Sequence, residues 1–341
     1  MFKSFKYYSE LMPIYSPNVF NPVANGFATG RTIQFQLHTY QNNATWTKPA
    51  NLLAVEVFVL GGGAGGGSGS RTATNVISRA GSTGIPGLGA YMYIEAGDLN
   101  ATEDVVIGAG GTGGAHVTAD NTTGASGTSG GQTSFGAHMI SPVSPFIANN
   151  GASTWSTSPI QNAAYGRWPI PIQHPFVIRV FAWHAIASGS LYNNTPVQSP
   201  DKEVMVLSGG TGGGITSANV QYAGMIGGRY FSDDGSSYIG GASGGDASSG
   251  NGHGDNGTND FIKSRASGPI MQATGLFGDK GIGSGGGGGA SRLTAKGGNA
   301  GNSGKHGVGG AGGGSSRNGH DSGHGAAGTE GLVKVLEILL V

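Results

Sequence analysis

Three glycines, Gly61, Gly63 and Gly66, stand in the spacing G-x-G-x-x-G directly after the apolar run "VEVFVL". In a dinucleotide-binding fold, such glycines bring backbone amides up to a pyrophosphate at the start of a helix. Here "SGSRTATNVISRAGSTG" follows, with no helical apolar period and no acidic residue about 20 positions on to hold a ribose. The nucleophile-elbow spelling G-x-S-x-G occurs twice, around Ser129 and Ser243, again without the helix that the elbow requires. Asp246, His253, Asp255 and Asp260 gather in one polar stretch. They lack the nine-residue period and apolar positions of calcium-binding repeats, so they read as a solvated loop. His320 and His324 are four apart, in a stretch too rich in glycine to be helical, and the nine histidines show no metal-ligand spacing. Asp233 and Asp234 are adjacent, so on a strand they would point to opposite faces and could not act as a glycosidase pair. These motifs imply neither an enzyme nor a cofactor.

The motifs fail because of composition. Of 341 residues, 69 are glycine, about three times the usual share. Only 11% are charged and the formal net charge is zero, which excludes the basic face that nucleic acid requires. There is no cysteine, hence no disulfide and no thiolate metal site. The first twenty residues carry lysines but no apolar core of a secretory signal, and no apolar run reaches the roughly 20 residues that span a bilayer as a helix.

The glycines are phased. Gly298, Gly301, Gly304, Gly307, Gly310 and Gly313 recur at every third position, and Ser316, Gly319, Ser322, Gly325, Gly328 and Gly331 continue the phase. Shorter runs begin at Gly81, Gly108 and Gly124. A period of three is that of the polyproline II helix, which has no internal hydrogen bonds. Its backbone groups must bond to neighbours. Collagen is excluded because the last proline, Pro269, precedes the main run. The expectation is a bundle of polyglycine II segments lying side by side, with glycine facing glycine.

Alternation marks strands in "TIQFQLHTY", "TWTKPANLLAVEVFVL", "AYMYIEA", "EDVVIGA", "QTSFGAHMI", "EVMVLSG" and "GLVKVLEILL", and no long helix is predicted. The fold class is therefore all-β, with sandwich-like strands and packed glycine-rich segments. Four regions follow: an arm over 1–30, rich in aromatics and proline; strands and first glycine segments over 31–141; a proline- and tryptophan-rich insertion over 142–202; and glycine-rich segments with loops and a closing strand over 203–341. Rigid aromatics suit recognition surfaces. Trp155, Trp168, Tyr192, Tyr230 and Tyr238 are the contact candidates, although tryptophans of an insertion can equally be its core.

The ordered set "TWTKPANLLAVEVFVLGGGAGGGSGS", "GAYMYIEAGDLNATEDVVIGAGGTGG", "GGQTSFGAHMI", "SGGTGGG", "GGGGGASRLTAKGGNAGNSGKHGVGGAGGG" and "GAAGTEGLVKVLEI" resembles the glycine-rich domain of bacteriophage tail fibres over about residues 44 to 338. It is also similar in character to the glycine-rich adhesins at the tips of T-even long tail fibres. The resemblance implies a non-enzymatic receptor-binding protein in the virion, probing a bacterial outer-membrane protein or polysaccharide. It implies assembly as a homotrimer, attachment to other tail proteins through the 1–30 arm, and an insertion and loops that face the host. Two departures stand out: the 142–202 insertion and the arm have no counterpart in the family's pattern. A structural virion protein without receptor contact, a surface-polysaccharide depolymerase and, more distantly, an antifreeze-like polyglycine protein are the alternatives.

Overall fold

The computed structural model describes residues 32–87, 89–141, 179–181, 209–227, 230–231, 238–239, 242–248, 252–255 and 285–341. The strands are β1 (Ile33–Tyr40), β2 (Ala44–Thr47), β3 (Leu52–Leu60), β4 (Arg71–Thr72), β5 (Gly89–Glu95), β6 (Thr102–Val106), β7 (Ser134–Phe135), β8 (Met139–Ile140), β9 (Arg179–Phe181), β10 (Tyr230–Phe231), β11 (Tyr238–Ile239), β12 (Ser316–Arg317) and β13 (Leu332–Leu340). Among the described residues there is no α-helix, only a 3-10 turn at Ala96–Asp98. The all-β reading is correct.

Two antiparallel sheets face each other. One has the order β1-β13-β3-β5-β9 and the other β2-β6-β7-β8. Alternation sets what lies between them: Val55, Val57 and Val59 of β3 and Val333, Val335 and Leu339 of β13 meet Trp46, Val105, Phe135 and Met139 of the smaller sheet. The rings of Trp46 and Phe135 pack tilted, with centroids 5.6 Å apart. The expected strand "QTSFGAHMI" is a hairpin, β7 and β8, because Gly136 takes φ +52° and turns the chain. The stretch "EVMVLSG" lies almost wholly outside the described residues. From the 142–202 region the described residues are β9 alone, which pairs with β5.

At the ends of β3 and β6 the period changes from two to three. The 61–70 segment leaves β3, 107–117 leaves β6, 123–133 leads into β7, and 321–331 leads into β13. Their amides bond sideways. Along one segment, Gly62 donates to Gly131 O, Gly63 to Thr329 O and Ala64 to Ile85 O, at 2.8–2.9 Å. Gly65, Gly66 and Gly67 then repeat the order to Thr128, Ala326 and Ser82. Successive amides thus point at three different neighbours in turn, which is why the sequence period is three. Carbonyls of the same segment receive Gly111 N, Gly114 N, Gly310 N and Gly313 N from two further segments.

Burial separates two kinds of segment. In 107–117 and 123–133, Gly108, Gly111, Gly114, Val117, Gly124, Gly127, Gly130 and Thr133 are buried, with residues between them partly or fully exposed. In 61–70, 285–291 and 307–316 every residue is buried. A peripheral segment needs a small residue only where it faces inward, whereas a central one needs small residues nearly throughout, hence "GGGAGGGSGS" and "GGGGGAS". A Cβ at Gly65 would lie 1.9 Å from Thr112 O, and one at Gly66 2.0 Å from Ala311 O. The long phased run is not one rod. It folds back at 305–306 and 317–320 into three segments, 297–304, 307–316 and 321–331.

Candidate functional site

Among the described residues, outbound segments return through turns at the end of the bundle away from the sandwich. These turns lie at 72–77, 118–122, 216–220, 293–296 and 317–320. Three contain an asparagine in the left-handed region, Asn75 (φ 65°), Asn121 (φ 57°) and Asn219 (φ 59°), and Gly319 (φ 87°) turns another. Asparagine tolerates this conformation better than other non-glycine residues. It also brings an amide, and the asparagines pair across loops. Asn219 Nδ2 donates to Asn75 Oδ1 at 2.6 Å while Asn75 N donates to Asn219 Oδ1 at 3.1 Å. Asn318 Nδ2 donates to Asn121 Oδ1 at 3.1 Å.

Arg317 fastens the turns from beneath. Its guanidinium donates to Thr72 Oγ1, Ala73 O, Val76 O, Thr216 O and Asn219 Oδ1, and the residue is only 5% exposed. Burial pushes its pKa down from the ordinary arginine value, and the acceptors offset the loss of water. Arg71 plays a similar part on the neighbouring turn, reaching Thr118 O, Asp120 and Asp321. On loops held this firmly, Val76, Ile77 and Val220 stand 50%, 55% and 49% exposed, which makes a fixed aliphatic tip.

Of the five predicted contact residues, the structure describes the backbone of Tyr230 and Tyr238. Trp155, Trp168 and Tyr192 lie outside the described residues. Tyr230 and Tyr238 sit on the β10–β11 ribbon, where the register sets Tyr230 opposite Ile239 and Tyr238 opposite Phe231. Sequence reasoning did not single out Val76, Ile77 and Val220, because aliphatic residues in polar loops carry no motif. The available signal was an asparagine beside an apolar residue between two glycine segments, as in "NVI" and "NVQ".

The nucleotide-like motif is occupied by the protein itself. The amides of Gly62 to Gly66 all donate to carbonyls of other segments, so none is free to hold a phosphate. Ser129 lies within an extended segment with no helix after it. Asp246 accepts from Ser248 N and Ser248 Oγ, each at 2.8 Å, and His253 Nδ1 accepts from Asn299 N. Asp260 is outside the described residues. Among the described residues no group of three or more His, Asp or Glu side chains could hold a metal ion, and no helix is long and apolar enough to cross a membrane.

The fold is a β-sandwich extended by a laterally hydrogen-bonded glycine bundle, with its turns collected at the far end. The chain belongs to the glycine-rich domain family, whose model matches residues 38–307. The match runs from within β1 to Gly307, so the 321–331 segment and β13 lie beyond it. Comparison with curated proteins returns no match.

Proposed function

We propose that this protein is a bacteriophage tail-fibre tip that attaches the virion to the host surface. It acts without catalysis, as a stiff spacer with a recognition end. The glycine segments are read as polyglycine II helices. At the polyproline II rise of about 3.1 Å per residue, the ten residues of a segment hold the turns about 30 Å from the sandwich. The 1–30 arm joins the fibre, three copies assemble together, and the loops meet a bacterial outer-membrane protein or polysaccharide. The observation that carries the reading is the gathering of the turns at one end, pinned by Arg317 and the Asn75–Asn219 pair around exposed Val76, Ile77 and Val220. Pre-organised loops bind at a lower entropic cost, and an aliphatic patch favours a protein loop over a charged headgroup.

The test uses labelled full-length protein against a panel of bacterial strains. Wild type should decorate a subset of strains and compete with phage infection there. Ile77→Asp with Val220→Asp should lose decoration at least tenfold with an unchanged melting temperature. Deletion of 142–202 tests Trp155, Trp168 and Tyr192, and Tyr230→Ala with Tyr238→Ala tests the ribbon. If only those variants lose binding, the tip assignment fails and the insertion or ribbon is the reader. If wild type binds no strain yet is found in purified virions, the structural-protein reading replaces this one. Loss of polysaccharide viscosity on incubation would instead make it a depolymerase.

A further inference from the structure

On the flank of the bundle near the tip, two imidazoles from segments far apart in sequence converge. His116 Nδ1 lies 2.8 Å from His324 Nε2, with the rings edge-on at a centroid distance of 4.3 Å. The backbone fixes them there. Segments 107–117 and 321–331 are direct neighbours: Gly331, Gly328 and Gly325 donate to Gly108 O, Gly111 O and Gly114 O. Val117 and Ser322 close the next rung, with Val117 N donating to Ser322 Oγ at 2.8 Å and Ser322 N to Val117 O at 3.1 Å. The two histidines sit between these rungs, so their approach is built into the register.

We propose that His116 and His324 form a two-histidine site for a divalent transition-metal ion, favouring Ni2+ or Cu2+ over Zn2+, which clamps the two segments together. The backbone N–H of His116 points at His324 Nδ1 at 3.4 Å, so in the neutral ring the His324 proton resides on Nε2, between the two histidines. For the metal to bind Nε2, that proton shifts to Nδ1 and the long 3.4 Å contact from the His116 N–H is given up, so both rings bind as neutral imidazoles and no proton is lost. Imidazole–metal bonds are about 2.0–2.1 Å, so nitrogens 2.8 Å apart subtend nearly a right angle at the ion. Right angles belong to square-planar and octahedral ions; a tetrahedral ion needs the nitrogens about 3.4 Å apart. Asp321 Oδ2 lies 3.9 Å from the far nitrogen of His116, on the side where outer carboxylates orient metal-binding imidazoles. The other charged groups nearby are Arg71 and Asp120, which pair with each other, while Arg71 also reaches Asp321. With no third protein ligand among the described residues, water fills the remaining positions and the ion exchanges freely.

The experiment takes the full chain without an affinity tag. Ni2+, Cu2+ and Zn2+ are titrated separately by calorimetry at pH 7.5, and paramagnetic broadening of histidine ring protons by Ni2+ locates the ion in the wild type. The expected result is one site, with the His116 and His324 signals broadened first. Affinity should fall at least tenfold in His324→Ala. Broadening confined to other histidines such as His253 or His320, unchanged affinity in His324→Ala, tighter binding of Zn2+ than of Ni2+, or no binding at all would overturn the proposal.

Discussion

Trp46 and Glu337, separated by 291 residues, meet in the sandwich core, where Trp46 Nε1 donates to Glu337 Oε1 at 2.7 Å. His38 Nε2 lies 3.2 Å from the other carboxylate oxygen. Burial, and then the charge of Glu337, raise the Tyr40 pKa. An acidic residue in an apolar strand is thus a cross-sheet contact that ties the smaller sheet to β13.

Removing both partners should therefore cost less than the two single losses added together. Trp46→Phe and Glu337→Leu are each expected to destabilise the fold by about 1.5–3 kcal/mol. The double variant should lose less than the sum, since the Trp46–Glu337 bond is then absent from both sides and only the His38 contact is left unmade. Urea midpoints of the four proteins measure the coupling, and additive losses would show that the contact is worth nothing.

The bundle makes glycine position-specific. Gly65→Ala places a methyl carbon against the Thr112 carbonyl, while a Cβ at Gly97 meets nothing within 4 Å. Gly65→Ala should cost at least about 3 kcal/mol. Gly97→Ala should be neutral or stabilise by up to about 1 kcal/mol. Equal melting temperatures for the two variants would contradict the close packing.

Arg317→Lys tests the fastening of the tip. Lysine cannot reproduce the forked set of bonds to Ala73 O, Val76 O and Thr216 O. The expected loss is at least about 2 kcal/mol. Amide exchange should rise in the 73–77 and 216–220 loops while the amides of Gly62 to Gly69 stay protected. Fast exchange of those glycine amides in the wild type would refute the bundle itself.

Acid should act in two windows. Burial drives the His306 pKa down, against the opposing pull of Glu330, so the unfolded chain takes up this proton first. Its share of stability is complete above the ordinary histidine value of 6.5 and declines as pH falls below it. Glu103 is pushed up by burial, but hydrogen bonds from Asn100 and His138 outweigh this, and its pKa is net lowered. Its contribution is present above 4.5 and is lost as pH falls through the lower folded value. His306→Gln should flatten the stability profile between pH 7 and 5, and Glu103→Gln should flatten it below pH 4.5. A His306→Gln profile identical to wild type would remove His306 from the account.

The strands were legible because alternation at Val55, Val57 and Val59 reports a local property of the backbone. The glycine phase was legible for a similar reason, since a three-fold arrangement of amides repeats along each segment. What the phase could not indicate was where the chain turns back, because Ser316 and Gly319 keep the period through the 317–320 turn. Nor could it give the site. The exposed Val76, Ile77 and Val220 of the described turns carry no motif that marks them in the sequence, and Trp155 lies outside the described residues.

The sequence by itself determined that amides must bond sideways and that side chains must be absent wherever segments touch, because both conditions act on each residue in turn. Only the tertiary structure decided which segments are neighbours, and so which loops share the tip and which histidines meet. Backbone-to-backbone bonding between glycines is the same for every pair of segments. Side chains such as Arg317 and Asn219 differ from position to position, and their partners are distant in the chain.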